Sequence, residues 1–307
     1  MILNICLVFV ILAEILGFSH AQEKILFSKD RELTKEAKVL AEKSLPQVKL
    51  NEINPLPVDE SPKPVETKAK SAAILDLKTN KVLFQKNIQE ISSVASITKL
   101  MTAVVLIENF DLTETVSVSY QSAYPIGSKM HLYPGEQIKA SELVQGMLIA
   151  SANDAAKALE EHFGKDAVVK KMNQKAEFLD LKNTHFVEAS GLDPENKSSA
   201  ADLIILSRYA LTIPQIEQAV RAKEYTAVSV DGSLQHLIHT TNRLLKNDPD
   251  IFGVKTGYIE EAGSCLIAGA GREGHEIISV VLGIDDYNQR FSESRALLDW
   301  AFANFRW

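Results

Sequence analysis

Residues 97–110 carry apolar side chains on nearly every side of a helical wheel, so the pattern predicts a central buried helix opened by Ser96. Upstream, Ala72-Ala73-Ile74-Leu75-Asp76-Leu77 reads as a strand, Lys78-Thr79-Asn80 as a turn and Lys81-Val82-Leu83-Phe84 as its return. A polar segment marked by Gly and Pro covers 111–136. Ser141 and Glu142 then start a helix through Leu148, and Asn153 or Asp154 is placed to cap another that Gly164 ends. Residues 167–181 and 200–211 are also helical by period, and Ser199 with Asp202 resembles a capping box. The last third turns β-rich at 252–259, 264–271 and 276–284, with Gly turns between, and closes on an amphipathic helix at 292–305. Strands at both ends with helices between them predict an α+β domain built on one antiparallel sheet. No internal repeat is visible.

The first 70 residues have a different pattern. Residues 1–18 are mostly apolar, and Ser19-His20-Ala21 places small residues where a signal peptidase reads, so 1–21 resemble a secretory signal. No Lys or Arg precedes the run and Glu14 interrupts it, which keeps an uncleaved membrane anchor as the alternative. An N-terminal core helix is disfavoured by the linker-like stretch downstream of it. Five of the ten prolines fall between Pro46 and Pro64, interleaved with Lys and Glu, a composition that cannot bury a core. Residues 22–70 therefore read as a disordered stalk, with a short helix at 30–43, and 71–307 as the folded domain. Of the two cysteines, Cys6 lies in the leader, so no disulfide framework is expected, and Cys265 in its apolar strand reads as a small core residue. A net charge of −7 argues against a nucleic-acid partner and against a polybasic grip on anionic lipid.

Three short motifs supply candidate chemistry, in order: Ser96-Ile97-Thr98-Lys99, Ser151-Ala152-Asn153 and Lys255-Thr256-Gly257. Any one alone is ordinary. Ser96 and Lys99 on a shared helix face would form a nucleophile and its base. Burial in the apolar helix and charge from Lys255 would lower the lysine's pKa. The macrodipole would favour an anion at Ser96. Ser151 could relay a proton to a leaving amine and Asn153 could orient a substrate amide, unless both are simple helix caps. Gly257 would let a substrate backbone pair along the strand, with Lys255 and Thr256 holding a terminal carboxylate.

From about Ser71 onward the chain resembles the low-molecular-mass penicillin-binding proteins that act as serine D-Ala-D-Ala carboxypeptidases. Beyond the motifs, the resemblance rests on Gly127-Ser128-Lys129-Met130, Tyr133-Pro134-Gly135-Glu136, Asn153-Asp154-Ala155-Ala156 and Thr184-His185-Phe186 with Gly191-Leu192. It extends to Thr241-Asn242, to Tyr258 with Ala262-Gly263, and to Leu297-Leu298-Asp299-Trp300. It implies a β-lactamase/transpeptidase-like fold with a helical subdomain, and removal of the terminal D-Ala from peptidoglycan stem peptides in wall maturation and cell shape. It implies acylation of Ser96, Lys99 as base, proton transfer through Ser151, an oxyanion hole from the N–H groups of Ser96 and Tyr258, and Arg290 supporting the substrate carboxylate. β-Lactams would be covalent inhibitors, and no metal or organic cofactor is expected. The protein would be exported to the periplasm or the outer face of the cytoplasmic membrane. The family's further β-rich domain and C-terminal membrane helix have no counterpart before Trp307, so any membrane association is expected at the N-terminus.

Three other readings compete. A class A β-lactamase would need a water-activating glutamate, and neither Glu188 nor Glu195 sits in the Glu-x-x-Leu-Asn pattern. A zinc enzyme would need paired histidines; His236 and His239 sit on a strand where that spacing points them to opposite faces. His131, His162 and His185 read as structural or exposed. A binding protein without turnover is argued against by the intact motif set.

Overall fold

In the computed structural model, residues 55–58 and 64–307 are described. The expected leader at 1–21, the helix at 30–43 and most of the stalk lie outside them. Residues from 54 onward form one unit. Its frame is a five-stranded sheet of β1 (Ser71–Asp76), β2 (Val82–Lys86), β3 (Ile251–Ile259), β4 (Gly263–Arg272) and β5 (His275–Ile284), in the order β3-β4-β5-β1-β2. Every neighbouring pair is antiparallel. The first and last parts of the chain thus meet in the middle of the sheet, β1 pairing with β5. All six residues of β1 are buried, because both faces of the sheet are covered.

Period-two alternation sorts the apolar residues between two cores. Ala72, Ile74, Leu266 and Ala268 face Phe291, Leu297, Leu298 and Ala301 of the closing helix, Gln289–Asn304. Ala73, Leu75, Cys265, Ile267 and Val280 join the larger core beneath the helical subdomain. Cys265 is fully buried there, and burial pushes its thiol up to about 11, as suits an inert core residue. At the centre of the subdomain lies α1, Thr98–Asn109, buried from Thr98 through Leu106. Around it pack α2 (Ala140–Ile149), α3 (Asn153–Phe163), α4 (Lys165–Phe178) and α5 (Ala200–Leu211). The expected α+β class and antiparallel sheet are what the chain adopts.

Two local expectations need correction. Order does not wait for Ser71. Leu56–Pro57 pairs antiparallel with Phe305–Arg306, the Val58 N–H donates to the Asn304 carbonyl at 2.8 Å, and Ala69 is fully buried. A Pro-rich composition predicts no apolar core, yet a two-residue edge strand is held by backbone bonds and needs none; Pro is tolerated at such an edge. The capping box at Ser199 is half formed. Its hydroxyl accepts the Asp202 N–H at 3.2 Å, but the Asp202 carboxylate accepts from Asn183 N–H and the Thr184 hydroxyl, both at 2.7 Å.

The hairpin Glu224–Val228 and Gln235–His239 settles the histidine question. His236 is buried against Glu136, Nε2 to Oε1 2.8 Å, while His239 points to the exposed face. Among the described residues no cluster of three or more His, Cys, Asp or Glu is arranged to hold a metal ion.

Candidate active site

Ser96 belongs to a 3-10 turn, Ala95–Ile97, that runs into α1. One turn later the Lys99 amine lies 2.9 Å from Ser96 Oγ. The amine has two further partners, Asn153 Oδ1 at 2.6 Å and the backbone carbonyl of Ser190. Lys99 is fully buried, and burial lowers its pKa to about 7 against the opposing pull of Glu188 and Asp154. A neutral amine has two N–H donors and one lone pair. The carbonyls of Asn153 and Ser190 occupy the donors, which turns the lone pair toward the Ser96 hydroxyl.

Ser151 and Asn153 stand at the start of α3, but neither is a cap. The N-cap is Ala152, with no side-chain cap bond, and Asn153 is the first helical residue. Its side chain instead bridges Lys99 and the Ile126 carbonyl, 2.7 Å from Nδ2. The segment 127–132 holds this corner in place. Asn153 N–H donates to Ser128 O at 2.8 Å, and the Asp154 carboxylate accepts the N–H groups of Met130 at 3.1 Å and Leu132 at 3.2 Å. Ser151 has a φ of +57° and Ala95 one of +49°, so a non-glycine left-handed residue adjoins or forms each serine site.

β3 closes the cleft from the other side. Lys255 Nζ donates to Ser151 Oγ at 2.7 Å and to the Thr256 carbonyl at 3.1 Å. Thr256 Oγ1 lies 2.6 Å from Thr241 Oγ1. The Arg290 guanidinium donates to the Gly257 carbonyl at 2.9 Å and stacks 4.1 Å over the Tyr287 ring. Arg290 is buried behind the strand, so it acts on the cleft through β3 and through its field. Tyr258, half exposed, sets its ring edge-on to Tyr287 at the rim.

Two expectations change here. Lys255 was to lower the pKa of Lys99; burial does that, and it is Lys255 whose pKa falls well below the ordinary lysine range, through burial, Lys99 and Arg290. Neither Lys255 nor Arg290 pairs with a carboxylate among the described residues. Gly257, expected to make room for a substrate backbone, also makes room for the nucleophile's own turn: a Cβ there would meet Val94 O at 3.0 Å and Ala95 Cβ and Ser96 N at 3.2 Å. Gly257→Ala should therefore push β3 off the Ser96 turn, slowing acylation about tenfold or more while costing about 1–2 kcal/mol of stability. Stopped-flow labelling beside a thermal melt checks both.

Sequence reasoning gave no role in this site to three participants: the Ser190 carbonyl, Thr241, which it quoted only as part of the resemblance, and Glu188, which it weighed only as a water-activating base. A backbone carbonyl leaves no mark on residue type, although Gly191 beside it signalled a turn. Glu188 is no water-activating base. Its carboxylate accepts the Ser190 N–H and hydroxyl, both at 2.6 Å, the Gly191 N–H and Asn196 Nδ2. Glu195 pairs at the surface with Lys197, 3.5 Å away.

The motif triad, ordered along the chain and closed in space, has direct counterparts. A family model described as Peptidase S11, D-alanyl-D-alanine carboxypeptidase, matches residues 58–286. The chain belongs to this family. Among members of the D-alanyl-D-alanine carboxypeptidase family, DacF of Bacillus subtilis is 37% identical over 77% of this chain and 63% of its own length. DacA of Escherichia coli is 32% identical over 77% of this chain and 61% of its own length. The chain thus spans about three-fifths of these relatives. A D-alanyl-D-alanine endopeptidase of Pseudomonas aeruginosa, 32% identical, is covered over 81% of its length. The crystal structure of the Streptomyces K15 DD-transpeptidase superposes with a TM-score of 0.74 at 29% identity, over 78% of this chain and 99% of that one.

Proposed function

We propose that this carboxypeptidase-family protein is a serine D-Ala-D-Ala carboxypeptidase working through an acyl-enzyme on Ser96. One observation carries the reading: the Lys99 amine sits 2.9 Å from Ser96 Oγ with its other hydrogens engaged by Asn153 and Ser190. In the first step Lys99 takes the hydroxyl proton as Ser96 Oγ attacks the penultimate D-Ala carbonyl. The N–H groups of Ser96 and Tyr258 are the proposed donors to the oxyanion. The peptide C–N bond then breaks. The leaving D-Ala amine takes a proton from Ser151, which the Lys99 ammonium replaces with the proton it took in the first step, leaving Lys99 neutral again; Lys255 orients the Ser151 hydroxyl across the 2.7 Å contact. Water then enters, Lys99 takes its proton as the oxygen attacks the ester, and that proton passes to Ser96 Oγ as the ester C–O bond breaks.

The Lys255 amine and the Arg290 guanidinium, neither with a carboxylate partner among the described residues, support the substrate assignment. Burial and neighbouring positive charge disfavour the charged form of Lys255, and a terminal carboxylate laid along β3 would supply the missing counter-ion. Thr256 and Thr241 offer hydroxyls at that end. Asn153 would meet the substrate amide from the opposite wall. The same reading places the protein outside the cytoplasmic membrane, where stem peptides are found, with residues 1–21 as export signal or anchor.

The test is intact-protein mass spectrometry after penicillin G, which mimics the D-Ala-D-Ala terminus. One adduct mapping to Ser96 is expected, together with D-Ala release from a stem pentapeptide. A protein that stays unmodified, or an adduct elsewhere, would overturn the proposal. Adduct formation without D-Ala release would favour a binding protein without turnover, and release only from cross-linked dimers would favour an endopeptidase.

A further inference from the structure

The turn 187–191 belongs to no helix or strand, yet its five N–H groups and three of its carbonyls are matched to side chains one by one. The N–H groups of Val187 and Glu188 donate to Asn196 Oδ1 at 2.7 and 3.3 Å. That of Ala189 donates to Glu160 Oε1 at 2.9 Å. Those of Ser190 and Gly191 donate to the two carboxylate oxygens of Glu188. Of the carbonyls, that of Glu188 accepts from Asn196 Nδ2 at 3.0 Å and that of Ala189 from Thr102 Oγ1 at 2.7 Å. The Ser190 carbonyl accepts from Lys99. Next to it, Gly191 lies so close to the nucleophile's turn that a Cβ there would stand 2.0 Å from Ala95 O and 2.9 Å from Ser96 N. One carboxylate therefore folds the turn that touches both the base and the nucleophile.

We propose that Glu188 is a positioning residue for the acylation of Ser96: it closes the 188–191 turn, aims the Ser190 carbonyl at Lys99, and holds Gly191 against the Ser96 peptide. The inference rests on the acyl-enzyme reading above. Glu188 does not touch the reacting atoms; it acts through Ser190 and Gly191. Its charge has a second, opposing effect. The groups facing Lys99 are Glu188 from the turn, Asp154 from α3 and Lys255 from β3. Both carboxylates favour the protonated amine, and burial outweighs them. Glu188 itself faces Glu160 of α3, whose pKa is raised by burial and by this neighbour. Removing the Glu188 charge should thus lower the Lys99 pKa further while loosening the lysine's lone-pair orientation.

The experiment measures acylation by a fluorescent penicillin across pH for the full chain, Glu188→Gln and Glu188→Asp, with a thermal melt of each. Glu188→Gln replaces one acceptor oxygen by a donor. Its plateau rate should fall about 10–100-fold and its rising limb should move to lower pH. Glu188→Asp keeps the charge but is one methylene too short to reach both amides; its rate should fall while the limb stays. A purely structural role would lower both melting temperatures and leave the rate and limb of the folded protein unchanged, overturning the proposal. Should the Gln variant not fold, a folded Asp variant with the wild-type rate overturns it equally. A wild-type chain that takes no label would sink the acyl-enzyme reading and this inference with it; a labelled wild type beside an unaffected variant sinks this inference alone.

Discussion

Lys99→Ala should leave Ser96 almost inert toward penicillin, with the acylation rate falling about 10³–10⁴-fold and the fold retained. The serine hydroxyl is a poor nucleophile without a base, and Lys99 is the only titratable side chain bonded to it among the described residues. Lys99→Arg should be no better, because a guanidinium keeps its proton at any working pH and has no lone pair to offer. The wild-type pH dependence gives an independent reading. Acylation needs the neutral amine. Burial puts its pKa at about 7, so the rate should rise with pH through that value and level off above it. An ordinary exposed lysine would place the same limb near pH 10.4. Stopped-flow labelling from pH 5 to 9 separates the two. A rate with no plateau and still climbing tenfold per pH unit at pH 9, or a Lys99→Arg variant with the wild-type rate, would remove Lys99 from the role of base.

The elements that position this site were readable from hydrophobic period. β1 and the three C-terminal strands fall within a residue or two of their expected bounds, because residues such as Ile74, Ile267 and Val280 must alternate between two covered faces. α1 was readable because its apolar residues surround the axis. Ser96, Lys99, Ser151, Asn153 and Lys255 were named from motif order, and the fold brings them into one hydrogen-bonded cluster. What stayed illegible depends on backbone or on direction. The edge strand at Leu56–Pro57 is held by peptide groups that every residue carries. The Ser190 carbonyl is likewise independent of side-chain type. Gly257 announced a close approach without saying of what, and its neighbour is the Ser96 turn. Asn153 has the residue type of a helix cap, and only the placement of Lys99 shows why its side chain turns inward instead.

Gly191→Ala should be the most damaging single-methyl change near the site. Gly191 has a φ of +80°, a conformation that costs an alanine about 1 kcal/mol or more by itself. The added Cβ would stand 2.0 Å from Ala95 O and 2.4 Å from Ala95 C, and these are backbone atoms that cannot swing aside. Ala95 is already held at a φ of +49°, so the turn bearing Ser96 has little freedom to yield. Either the Ser96 turn or the 188–191 turn must move. The first displaces the nucleophile, and the second withdraws the Ser190 carbonyl from Lys99. Together, strain and overpacking should cost about 3–5 kcal/mol, lowering Tm by roughly 10 °C. The surviving folded protein should acylate about 100-fold more slowly, since misplacement by an ångström is enough. The contrast with Gly257→Ala is the sharper check. There the φ is ordinary and the nearest contact is 3.0 Å, so the loss of stability should be visibly smaller. Thermal melts of the two variants side by side, with labelling rates on each, test the ranking. Equal stability losses would mean that the 188–191 turn yields to the added methyl, and that its grip on the nucleophile is weaker than the close packing of Gly191 on Ala95 implies.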